Sequence, residues 1–115
     1  MRILVATGER HIARLIQVNL ERQGCDVLIS FEGTECMMTA IKENLDLIVL
    51  DKRLPPIGGL TVFNALQENE LTKHTDLMVL GEREDDWPEA GPRGPKMYLR
   101  KPNDIFKLFA MVEAQ

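Results

Sequence analysis

The feature that most constrains this chain is a repeated change of hydrophobic period. Short, mostly apolar runs occur at Ile3-Leu4-Val5-Ala6, Asp26-Val27-Leu28-Ile29, Leu45 to Leu50, Leu77-Met78-Val79-Leu80 and Lys96 to Arg100. Each reads as a strand, the first of them buried on both faces and Leu45 to Leu50 giving the strongest signal. Between them lie longer stretches with apolar residues every three or four positions, the spacing of one helix face. Glu9 to Arg22 places Ile12, Leu15, Ile16 and Leu20 on such a face, and Gly24 follows where glycine often ends a helix. Thr34 to Glu43 does the same with Cys36, Met37, Ala40 and Ile41. Leu60 to Glu68 is a third helix, and Asp104 to Glu113, with Ile105, Leu108, Phe109 and Val112, is the closing one.

Strands that alternate with helices imply a parallel sheet, because parallel neighbours need a crossover. Right-handed crossovers put helices on both faces. The chain is 115 residues long and 44% hydrophobic, which fits one domain over 1–115 with a single sheet at its centre. Aromatic residues are only 5%, so Leu, Ile, Val and Met must fill the core. One stretch resists the pattern. Glu82 to Pro95 contains Pro88, Pro92, Pro95, Gly91 and Gly94, and proline inside a helix costs about 3 kcal/mol. The fourth helix is therefore expected to be shortened or irregular, with at most one turn near Trp87 to Ala90.

In an open parallel sheet the reactive crevice lies beyond the carboxyl ends of the strands. Three loops should meet there: Thr7-Gly8-Glu9, Asp51-Lys52-Arg53 and Lys101-Pro102. The net charge of −4, without a long run of one sign, argues against a nucleic-acid surface, which needs a basic face. Arg93, Lys96 and Arg100 could form at most a small basic patch. No apolar run approaches the roughly 20 residues that span a bilayer, and the apolar start at Ile3 to Ala6 is far short of a secretory core. Cys25 and Cys36 lack metal-type spacing and read as buried, reduced thiols. A cytoplasmic location is expected. Met37 and Met38 should divide between core and surface, and His11 and His74 should be solvated.

Two motifs carry a resemblance. Asp46 to Asp51 followed by Lys-Arg-Leu-Pro-Pro-Ile-Gly-Gly-Leu (52–60) resembles the acceptor segment of response-regulator receiver domains, with Asp51, Pro55 and Gly59-Leu60 in the matching places. Tyr98-Leu99-Arg100-Lys101-Pro102 resembles the family's fifth-strand ending, and Arg2 to Ala6 its first strand. The resemblance implies a flavodoxin-like, doubly wound five-stranded sheet of order 2-1-3-4-5. It also implies that Asp51 accepts a phosphoryl group from a histidine kinase and that Lys101 pairs with that group. A magnesium ion would be held by Asp51, a backbone carbonyl near Arg53 and one or two acids after the first strand. A fourth-strand hydroxyl and the Tyr98 ring would act as the switch.

The sequence departs from that pattern at the metal and switch positions. Thr7-Gly8 stands where the family has its acids, and neither residue supplies a carboxylate for a hard cation. Glu9 is the nearest acid, one residue late. Gly81 falls where the hydroxyl belongs, so Tyr98 is expected to be a fixed aromatic. With Lys52 and Arg53 adjacent, the pocket should be neutral or positive without metal, and Asp51 should form an ion pair with Lys101, joined by Arg53. The expectation is an atypical receiver, not an enzyme, that signals by protein–protein interaction with weak or no metal-dependent phosphorylation. No cofactor is expected. Its partners would be proteins of a two-component pathway, or a second copy meeting the family's fourth helix–fifth strand–fifth helix face, with no direct contact to nucleic acid or membrane. The alternative is an active phosphoacceptor in which Glu9 helps bind Mg2+. A nucleotide-binding flavodoxin-like domain ranks last, because Thr7-Gly8-Glu9-Arg10 lacks a glycine-rich phosphate cradle.

Overall fold

A computed structural model describes residues 1–82, 95, 97–101 and 104–115. The order is β1 (Arg2–Ala6), α1 (Arg10–Arg22), β2 (Asp26–Ser30), α2 (Gly33–Lys42), β3 (Leu47–Asp51), α3 (Gly59–Glu68), β4 (Asp76–Gly81), β5 (Met97–Arg100) and α4 (Ile105–Glu113). All strand pairings are parallel, in the sheet order β2-β1-β3-β4-β5. This is the flavodoxin-like, doubly wound arrangement expected.

Alternation along each strand splits the core into two layers. Ile3, Val5, Leu47, Val49, Met78 and Leu80 face α1 and α4, where they meet Ile12, Ile16, Leu20, Ile105, Leu108 and Val112. Leu4, Ala6, Ile48, Leu50, Leu77 and Val79 face α2 and α3 and meet Cys36, Ala40, Val62, Phe63 and Leu66. Every residue of β3 is buried, as a central strand between two helical layers must be. The first helix ends as glycine dictates. Gly24 has φ 88°, its N–H donates to the Glu21 carbonyl, and the Cys25 N–H reaches back to the Leu20 carbonyl. These are the two bonds of a Schellman cap.

Several residues differ from expectation. Leu15 and Ile41 are 39% and 42% exposed, because the stripes on α1 and α2 are wider than the strips that touch the sheet. Cys25 is half-buried, since it lies in the connection that leaves α1, whereas Cys36 is buried against the sheet. Met37 packs on the core while Met38 is exposed, and both His11 and His74 are exposed, as expected. β3 begins at Leu47 because Asp46 serves as an anchor: its carboxylate accepts the Arg2 N–H at 2.7 Å. The Arg2 guanidinium then spans Asp26 (2.9 Å) and Glu43 (3.0 Å). The shortened fourth helix, Trp87, Arg93, Lys96 and Pro102 lie outside the described residues. Among the described residues no helix is long and apolar enough to cross a membrane.

Phe63 is fully buried in the α2–α3 layer, whereas Leu71 is 72% exposed. Phe63→Ala should cost about 3–5 kcal/mol, and Leu71→Ala should stay within about 0.5 kcal/mol, both read by urea denaturation. Burial, with a smaller push from Glu35, raises the Cys36 thiol to about 12. Iodoacetamide at pH 8 should therefore label Cys25 in the native protein and spare Cys36, as peptide mapping would show.

Candidate functional site

The parallel register brings three chain segments to one edge of the sheet. Ala6 lies beside Leu50, Asp51 beside Leu80, and Gly81 beside Arg100, so the residues that follow β1, β3 and β5 emerge together. Asp51, the last residue of β3, is only 1% exposed. A carboxylate so deeply buried must be hydrogen-bonded if it is to stay ionised.

It has three donors. Its Oδ1 accepts the Arg53 backbone N–H at 2.9 Å. Its Oδ2 accepts the Thr7 hydroxyl at 2.7 Å and the Lys101 ammonium at 2.9 Å. Thr7 is fully buried, and its Oγ1 accepts the Glu9 N–H at 3.1 Å, which commits the hydroxyl proton to Asp51. Lys101 Nζ donates a second bond to Glu9 Oε2 at 2.8 Å. Burial pulls the Lys101 ammonium down, but its bonds to Glu9 and Asp51 and the charges on both carboxylates outweigh it, so its pKa is raised above 10.5.

The Asp51–Lys101 pair is present as expected, but its third member is different. Arg53 contributes its backbone N–H, while its guanidinium turns outward to Glu82 at 3.2 Å. That exposed pair is worth little. Glu9 takes the place expected of Arg53, so two carboxylates face the Lys101 ammonium. Lys52 is half-buried. The loop after β1 is also crowded: a Cβ at Gly8 would lie 3.0 Å from Pro55 Cδ. Above it, the Arg10 guanidinium stacks 4.2 Å from the Phe31 ring centroid. The half-buried Tyr98 packs beside the α2–α3 layer and lies against Gly81. Sequence reasoning missed the role of Thr7. The available signal was a hydroxyl directly after β1, in the strand adjacent to the one ending in Asp51.

The sequence matches the family described as "Response regulator receiver domain" over residues 3–113. The chain belongs to that family. This receiver is 34% identical over 113 residues to the alkaline phosphatase synthesis transcriptional regulatory protein PhoP of Bacillus subtilis, covering 98% of this chain and 47% of that protein. It is 30% identical over 115 residues to the response regulator ArlR of Staphylococcus saprophyticus, covering 98% and 51%. Its fold matches the receiver domain of the Francisella response regulator 1452 with a TM-score of 0.85 at 27% identity, over 98% of this chain and 93% of that one. The receiver thus spans about half the length of the curated relatives it matches.

Two outcomes follow from this geometry. Thr7→Val keeps the shape but removes a donor to a buried carboxylate, which should cost about 1.5–3 kcal/mol by urea denaturation at pH 7. For Lys101 the folded pKa is raised above 10.5. The stability its bonds add is therefore complete below that value and lost as pH climbs through the raised one. The urea midpoint of the wild type should fall faster than that of Lys101→Met as pH rises above 10.5.

Proposed function

We propose that this receiver signals through protein–protein contact, with weak or no metal-dependent phosphorylation of Asp51. The observation that carries the reading is that Asp51 Oδ2 is already shared by a hydroxyl and an ammonium. The family's chemistry calls for a magnesium ion here, which binds through oxygen lone pairs. Thr7 offers Asp51 a proton instead. A carboxylate grafted at Gly8 would meet Pro55, since even a Cβ there comes within 3.0 Å of Cδ. Among the described residues, no group of three His, Cys, Asp or Glu side chains is placed to hold a metal. The residues present do not fit a divalent cation.

In this reading Asp51 and Lys101 hold the edge of the sheet together as a structural ion pair. The partners are proteins of a two-component pathway, and a cytoplasmic location goes with them. The net charge of −4 supports a protein surface over a nucleic-acid one. Contact through β5 and α4, where Phe106 is 67% exposed, could include a second copy of the chain.

One observation favours a second reading. Glu9 sits one residue beyond the expected position, yet its carboxylate reaches Lys101 beside Asp51. If it exchanged that ammonium for Mg2+, Asp51, Glu9 and the backbone near Arg53 would form a reduced metal site and Asp51 could accept a phosphoryl group.

Incubation with acetyl phosphate and magnesium, followed by intact-mass measurement, separates the two. The first reading expects no stoichiometric gain; a gain abolished by Asp51→Asn would refute it. Titration calorimetry is the companion test, with no heat of binding expected at millimolar magnesium. The second reading requires an affinity that Glu9→Gln removes.

A further inference from the structure

We propose that Gly81 is a steric latch that seats the Tyr98 ring over the end of β4 whatever the state of Asp51. Val79 pairs with Tyr98 and Gly81 with Arg100 across the β4–β5 ladder. Residues two apart share a face of the sheet, so the Tyr98 side chain, leaning along its strand, arrives over position 81. A Cβ at Gly81 would overlap the Tyr98 hydroxyl and lie 2.6 Å from ring Cζ and 3.2 Å from Cε1. No residue with a side chain can occupy position 81 while the ring stays where it is.

The backbone does not itself demand glycine here. Positive φ is confined, among the described residues, to Gly24 and Gly58. Glycine inside a strand weakens it and often marks the close approach of another group. At Gly81 that group is the phenol of Tyr98. The latch is also tied to the site. The Gly81 carbonyl accepts the Lys101 N–H at 2.8 Å, and the Leu80 carbonyl accepts the Lys52 N–H at 2.8 Å. Spreading β4 from β5 at position 81 would therefore pull on Lys101, whose ammonium holds Asp51.

The consequence concerns recognition. With no side chain at 81, nothing at that position can displace the ring from its place over the end of β4. The surface that β5 offers to a protein partner is then fixed by sequence and available without any modification of Asp51. This goes beyond the reading of Asp51 and holds whether or not that residue takes a phosphoryl group.

Tyr98 is the single tyrosine of the chain, so ring-labelled tyrosine gives one set of NMR signals. In the wild type one set should appear, weakly relaxed by a soluble gadolinium chelate and unmoved by acetyl phosphate with magnesium. Gly81→Ala should shift the ring signals and raise their relaxation several-fold. It should lower Tm in the wild-type background, yet leave Tm unchanged or raise it in a Tyr98→Ala background, where nothing fills the space. Loss of folding in Gly81→Ala that Tyr98→Ala rescues supports the latch in the same way. Equal losses in both backgrounds, or ring signals that stay in place in Gly81→Ala, would overturn it, as would a wild-type ring that moves on treatment. A mass gain at Asp51 with the ring unmoved would defeat the proposed function while leaving the latch standing.

Discussion

A carboxylate buried at the end of a central strand sets the terms for the rest of this structure. Asp51 lies between two helical layers, and its charge is tolerable only because three donors converge on it. Arg53 is supplied locally by the loop after β3, but Thr7 and Lys101 come from distant parts of the chain, following β1 and β5. The parallel sheet, with the carboxyl ends of its strands on one side, delivers both to the end of β3. The polar cluster and the topology therefore depend on each other. A strand that slipped register would leave a buried ion without its partners, at a cost of several kcal/mol.

Lys101 extends this cluster to Glu9, so the loop entering α1 is tied to the strand on the far side of the sheet. The result is a charge arrangement closed on itself. Each Asp51 oxygen is occupied, the Thr7 proton is committed, and the ammonium is shared between two carboxylates. In this geometry Asp51 and Lys101 clasp the segments that follow β1 and β5.

Steric crowding acts at the same edge. Gly8 lies against Pro55, and Gly81 lies beneath the Tyr98 ring. In both places a neighbour fills the space that a side chain would take. The two glycines look unrelated along the chain. In three dimensions they flank the one aspartate, through the loop after β1 and through the backbone bond from Lys101 to Gly81.

What the sequence determined by itself was the set of elements and their layering. The change from continuous apolar runs to three-four spacing is a local property, and it located every strand and helix among the described residues to within a few positions. The two motifs around Asp51 and Lys101 pointed to the right family, and the fold brings those two residues together. The tertiary structure decided which partners each polar group chose. Whether Lys101 turned to Glu9 or Arg53, whether Thr7 gave its proton to Asp51, and what filled the space above Gly81 all depend on distances between segments far apart in sequence. Hydrophobic period is written into neighbouring residues, whereas a hydrogen bond at 2.7 Å exists only once the chain has folded around it.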